Sequence, residues 1–171
     1  MRPYSLLIFD WDGTLMDSAA HITACMRNAI ARVGAEFRSD AQIRHIIGLG
    51  LEEAIRHLYP NQPNGVIRAI TDEYRQEFLV RSGENASTLF AGARETLQTL
   101  AQQGYQLAIA TGKSRRGLTK VLAETGLADL FPVTRCADET RSKPDPLMLE
   151  EILTDYDSGP HDALMIGDSE Y

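Results

Sequence analysis

The sequence predicts an α/β fold, a doubly wound parallel sheet whose first strand is followed by an all-helical insertion. Three observations carry this expectation. After about Thr88, short apolar runs alternate with amphipathic segments, the pattern of strand–helix–strand units. Between Asp17 and Thr88 the periodicity is helical throughout. Each predicted strand also ends in chemically competent residues, and the carboxyl ends of the strands in an open α/β sheet are where ligands bind.

The elements follow in order. Leu6-Leu7-Ile8-Phe9 is a continuous apolar run, so strand one is expected from about Ser5 to Asp10 as a short buried strand. Asp17 and Ser18 are placed to cap the next helix, which carries Ile22, Cys25, Met26, Ala29, Ile30 and Val33 on one face and ends at Gly34. Ser39 or Asp40 caps a shorter helix through Ile43, Ile46 and Ile47, and Gly48-Leu49-Gly50 makes a hinge or turn. Leu51 to Leu58 reads as helix and Tyr59 to Asn64 as a proline-bearing loop. A long helix spans about Gly65 to Val80, striped by Val66, Ile67, Ile70, Tyr74 and Phe78.

Ser82 to Ser87 reads as a linker. Beyond it, Ala91 to Gln103 is a helix closed by Gly104, and Tyr105 to Ala110 is a strand. Ser114 or Arg115 begins a helix that reaches Thr125 and is closed by Gly126. Val133 to Cys136 is a short strand, Pro146 to about Thr154 a helix capped by Asp145, and Ala163 to Ile166 the final strand.

Composition narrows the function. The 171 residues suit one domain or a domain with an insert, and 43% hydrophobic with 24% charged residues is ordinary for a soluble globular chain. A formal net charge of −7 argues against nucleic acid as a partner, since such binding needs a basic face. An anionic ligand must instead be held by a few local cations or a metal. No apolar run is long enough to span a membrane, and the run at Leu6 to Phe9 is too short for a signal peptide, so the cytoplasm is the expected location. Cys25 and Cys136 lack metal-ligand spacing and read as reduced thiols. Lysine occurs only at Lys113, Lys120 and Lys143, so a lysine among turn residues is not easily dismissed as surface filler.

Four strand ends carry the chemistry. Strand one ends at Asp10, with Asp12 and Gly13 beyond it; the next ends at Thr111-Gly112-Lys113-Ser114. The loop after Cys136 leads to Ser142-Lys143-Pro144-Asp145, and the last strand ends at Gly167-Asp168-Ser169. Side by side in a parallel sheet, these supply carboxylates, a hydroxyl with nearby backbone N–H groups, and an ammonium. That set suits phosphoryl transfer: cations and donors neutralise phosphoryl oxygens, and paired carboxylates serve as nucleophile, proton carrier or ligands of a hard cation such as Mg2+. Each residue alone has a plainer reading. Asp-x-Asp can be a capping turn, Thr111 can cap the next helix, Lys143 can be a surface lysine, and Lys113 can bind an anion or be solvated. Trp11 reads as packing, Arg44 as solvent-facing, and the four histidines as structural or exposed.

Asp10-Trp11-Asp12-Gly13-Thr14-Leu15 resembles the first motif of the haloacid dehalogenase-like hydrolase superfamily. Thr111-Gly112-Lys113 resembles its second, Lys143-Pro144 its third and Gly167-Asp168-Ser169 the start of its fourth. The helical insertion is similar to the small α-helical cap of one subfamily, and Ile47-Gly48-Leu49-Gly50-Leu51-Glu52-Glu53-Ala54-Ile55 resembles the phosphoglycolate phosphatase branch. The resemblance implies a Rossmann-like core at 1–16 plus 86–171 with a helical cap at 17–85. It also implies a magnesium-dependent phosphatase of a small phosphoester, phosphoglycolate-like by preference. In that scheme Asp10 is nucleophile and metal ligand, Asp12 is acid/base and a ligand through its backbone carbonyl, and Asp168 is a further metal ligand. Thr111, Gly112 and Lys143 bind phosphate.

Members of that superfamily carry another acid a few residues after the fourth motif, then a further helix and strand. The sequence stops at Tyr171, so the C-terminal part of the core is expected to be missing, which would favour self-association through uncovered surface. Glu170 sits one place early and does not inherit that role. A phosphomutase or pyrophosphatase of the same superfamily, a phospho-accepting receiver domain and an inactive truncated member stand as alternatives.

Overall fold

The computed structural model describes residues 3–81 and 87–170. Strands β1 (Leu6–Phe9), β4 (Gln106–Thr111), β5 (Val133–Cys136) and β6 (Ala163–Ile166) form one parallel sheet in the order β5-β4-β1-β6. The expected bounds of β5 and β6 hold to the residue, and β1 is trimmed by one residue at each end. Strand β1 lies inside the sheet with all four side chains buried, which is why it reads as an unbroken apolar run.

Helices pack on both faces of the sheet, although Leu164 of β6 is left exposed. Leu7, Phe9, Leu107 and Ile109 pack with Leu97 of α5 (Ala93–Gln102) and with Leu118 and Leu122 of α6 (Arg115–Thr125). Leu6, Ile8, Ala108 and Ala110 face the other way, onto Met148 and Ile152 of α7 (Leu147–Asp155). This alternation is the doubly wound arrangement that the strand–helix order predicts. The register pairs Phe9 with both Ile109 and Ile166. One step further along each strand, Asp10, Ala110 and Gly167 stand level at the same sheet edge.

Between β1 and β4 the chain forms α1 (Ala19–Val33), α2 (Asp40–His45), α3 (Leu51–Leu58) and α4 (Asn64–Arg81), around an apolar cluster of their own. Met26, Ala29 and Ile30 of α1 meet Ile67 and Ile70 of α4, with Ile43 and Ile55 closing the sides. Local signals set the helix ends. Gly34 takes a left-handed φ of 70°, which terminates α1, and Ser39 with Gln42 forms a reciprocal capping box on α2. Glu77 is 3% exposed, and its carboxylate accepts from Asn28 Nδ2 at 2.7 Å and pairs with Arg32 at 2.9 Å. Tyr59 donates its hydroxyl to the Glu36 carbonyl beneath the Arg38 guanidinium, which lies 4.2 Å over the ring.

One element has no counterpart among the sequence expectations. Strands β2 (Met16–Asp17) and β3 (Thr88–Leu89) pair antiparallel, so the two connections between sheet and helices run together as a ribbon. Of the expected linker, residues 82–86 lie outside the described residues. No helix among the described residues is long and apolar enough to cross a membrane.

Candidate active site

Asp10 follows the last residue of β1 and is 1% exposed. The Trp11 backbone N–H donates to its Oδ1 at 2.7 Å, and Lys143 Nζ stands 3.1 Å from its Oδ2. Oδ2 and Nζ are both buried and pair with each other, and neither has any other hydrogen-bond partner. Burial pushes the Asp10 carboxyl up to about 6, while the Lys143 charge and the Trp11 N–H pull the other way. The donor and acceptor capacity that this pair leaves unused is available to a further polar group.

Asp12 is engaged on both oxygens. Lys113 Nζ lies 3.0 Å from Oδ1 and 3.0 Å from Oδ2, and Ser18 Oγ donates to Oδ1 at 2.6 Å. The capping role expected of Ser18 is therefore corrected. Ser18 occupies the N-cap position of α1, but its φ of −115° and ψ of −7° are helical, and its hydroxyl turns to Asp12 instead of to the helix. Thr111 does not cap α6 either. Ser114 does so, accepting from Gly117 N, while Thr111 Oγ1 accepts from the Lys113 backbone N–H at 3.2 Å and is fully buried.

The helical segment reaches the sheet edge through Gly48-Leu49-Gly50. Gly112 lies so close to the Gly48 and Leu49 carbonyl oxygens that a Cβ there would collide with both. The Gly50 N–H donates to Ser142 Oγ at 2.7 Å, next to Lys143. This turn is thus more than a connection between α2 and α3, because its backbone closes over the loops that carry Gly112 and Lys143.

Asp10, Asp12, Thr111, Gly112 and Lys143 come together beneath that turn. Asp168 stands at the rim, exposed, with Oδ1 accepting from Thr14 Oγ1 at 3.3 Å. Its Oδ2 fills the space where Gly13, at φ 84°, would otherwise carry a Cβ. Lys113 and Ser18 contact Asp12, and Ser142 contacts the Gly50 backbone beside Lys143, three positions that the sequence reading did not include among the candidate residues. The scarcity of lysine and the place of Lys113 in the Thr111-Gly112-Lys113 motif were the signals pointing to it.

No group of three or more His, Cys, Asp or Glu close enough to hold a metal ion occurs among the described residues. The donors on offer are the open Oδ2 of Asp10, the Asp168 carboxylate across Gly13, and backbone carbonyls. Hard oxygen donors of this kind, few in number, fit a divalent cation that also keeps water and ligand oxygens.

Fold and site together define the class: an α/β enzyme with its chemistry gathered at the carboxyl edge of a parallel sheet. Residues 7–171 match the family model of the haloacid dehalogenase-like hydrolases, and the chain belongs to that family. A phosphoglycolate phosphatase of Nitrosococcus oceani is 31% identical over 174 residues, spanning 99% of this chain and 77% of the relative. One from Vibrio cholerae is 30% identical over 176 residues, spanning 99% and 78%. Among solved structures, a candidate haloacid dehalogenase-like hydrolase of Bacteroides fragilis superposes with a TM-score of 0.88 at 30% identity, covering 97% of this chain and 79% of that one. The sequence-based expectation of a phosphoric monoester hydrolase accords with this family and these relatives.

Proposed function

We propose that the chain is a magnesium-dependent phosphatase that cleaves a small phosphorylated metabolite through an aspartyl-phosphate on Asp10. The observation that carries this reading is the buried Asp10 Oδ2, held 3.1 Å from Lys143 with no other polar partner, and a second carboxylate two residues on. A buried carboxylate oxygen with a lone pair unused beyond its lysine is placed to attack phosphorus.

Lys143 Nζ, Thr111 Oγ1 and the Gly112 N–H are the groups offered to the phosphoryl oxygens. Asp10 Oδ2 forms the new O–P bond as the ester O–P bond breaks, and Asp12 donates a proton to the departing oxygen, which leaves as an alcohol. Asp12, now ionised, takes a proton from water as that water attacks the acyl phosphate, releasing inorganic phosphate and restoring the Asp10 carboxylate. Asp10, Asp168 and the Asp12 carbonyl would hold Mg2+, which when bound would offset the negative charge of the phosphoryl group. The helical segment, lying over the site through Gly48-Leu49-Gly50, acts as a cap that excludes bulk water and limits the leaving group. Phosphoglycolate is the favoured substrate, because relatives about 30% identical across nearly the whole chain carry that name.

The test is phosphate release from a panel of small phosphoesters with and without Mg2+, for the native chain and for Asp10→Asn. Magnesium-dependent release that Asp10→Asn abolishes is expected. Unchanged turnover in that variant would overturn the nucleophile assignment, and a phosphorylated isomer in place of free phosphate would mark a mutase.

A further inference from the structure

We infer that Lys113 is a positioning residue for Asp12, orienting its carboxylate so that a single lone pair, on Oδ2, is left to carry the proton. The inference rests on the reading of Asp12 as acid/base.

The argument starts from the capacity of the carboxylate. An ionised aspartate has about four lone-pair sites on its two oxygens. The Lys113 ammonium, 3.0 Å from each oxygen, takes one site on Oδ1 and one on Oδ2. Ser18 Oγ at 2.6 Å takes the second site on Oδ1. What remains is one site on Oδ2. A proton carried there can pass to a departing oxygen without disturbing the other contacts, and the same site receives the proton of the attacking water.

Lys113 is itself held for this task. Its backbone N–H donates to Thr111 Oγ1 at 3.2 Å, and its carbonyl accepts from Ala137 N at 3.0 Å, so the main chain is fixed on both sides. Its side chain is 9% exposed and that of Asp12 11%, so the pair is shielded from solvent. Above the ammonium lies the ring of Phe78, 5.4 Å to its centroid, presented by α4. Phe78 is in turn braced edge-on by His21 of α1 at 4.8 Å. Ser18, at the start of α1, grips the same carboxylate from the other side. The orientation of Asp12 therefore depends on the sheet edge and on the helical segment together. In the sequence, Lys113 is only a lysine after Thr-Gly; its partner stands 101 residues away.

The experiment exploits leaving-group chemistry. An acidic phenol departs without help, whereas an alkoxide needs a proton in the transition state. The native chain, Lys113→Met and Lys113→Arg are compared on 4-nitrophenyl phosphate and on the alkyl phosphate that the native enzyme turns over best. In Lys113→Met the kcat for the alkyl ester is expected to fall at least about tenfold further than that for the aryl ester, with little change in KM. Lys113→Arg should recover part of the loss. Equal losses on both esters, or a loss residing in KM, would overturn the inference. The ratio between esters within Lys113→Arg, read in the same way, decides the question if Lys113→Met fails to fold. Failure of the underlying phosphatase reading would show separately, as Asp10→Asn retaining activity on either ester.

Discussion

Gly50 and Ser142 are joined by a hydrogen bond of 2.7 Å from the backbone N–H of one to the hydroxyl of the other, across 92 positions of sequence. With Gly48 and Leu49 resting on Gly112, this bond fastens the helices over the sheet edge. Gly112→Ala would drive a Cβ into two backbone carbonyl oxygens, which cannot rotate aside. The expected result is a loss of kcat/KM of tenfold or more, roughly 1.4 kcal/mol of transition-state stabilisation, with the secondary structure intact by circular dichroism. Ser142→Ala should act in the same direction more weakly, about 1 kcal/mol for one hydrogen bond. Faster amide exchange at residues 48–50 in both variants would be the sign of loosened closure.

Asp10 is held at a cost to the fold. Its carboxyl is raised from the ordinary 3.8 to about 6 with Lys143 already beside it, so the folded state keeps a proton that the unfolded chain has released. Stability is full below about pH 4 as far as this group is concerned, and falls as pH rises to about 6. Asp10→Asn resembles the protonated form at every pH. In chelator, that variant should therefore be more stable than the native chain above about pH 7, on the order of 3 kcal/mol, and nearly equal to it at pH 4. Equal melting temperatures at pH 7.5 would refute the effect.

Gly13 makes room for Asp168. Gly13→Ala places a Cβ against Asp168 Oδ2 and imposes strain at φ 84°. Asp168 is exposed and can swing away, so folding should survive while the metal site suffers. The Mg2+ concentration for half-maximal activity should rise by about tenfold or more, as it should in Asp168→Asn. A titration of activity against Mg2+ checks both.

Tyr59 offers a control remote from the chemistry. Its hydroxyl bonds the Glu36 carbonyl within the helical cluster. Tyr59→Phe should cost about 1 kcal/mol in chemical denaturation and leave kcat and KM essentially unchanged.

How far the chain could be read by itself depended on the range of the interactions involved. Strand β1 was recognisable because burial on both faces demands an unbroken apolar run, and α3 because Leu51, Ala54, Ile55 and Leu58 repeat at helical spacing before Tyr59-Pro60. Asp10, Asp12, Thr111 and Lys143 stood out because each follows a strand or the loop after one, so topology alone gathers them. The ribbon of β2 and β3 escaped notice, since two residues show no period. The hydroxyl of Ser18 was misread because a serine before a helix is ordinarily its cap, and only the fold brings Asp12 within 2.6 Å to compete for it. Lys113 and the Gly48-Leu49-Gly50 turn acquire meaning from partners at the far side of the chain, which no local pattern encodes.

The paired strands Met16–Asp17 and Thr88–Leu89 have a consequence for how such a molecule can diversify. Where a chain leaves and returns through adjacent strands, the two crossing points lie only about 5 Å apart. Whatever hangs between them can lengthen, shrink or be exchanged without shifting the register of the sheet. An exchange of that kind need rebuild only the second contact, where Gly48, Leu49 and Gly50 rest on Gly112 and Ser142, and the hold of Ser18 and Phe78 on Asp12 and Lys113.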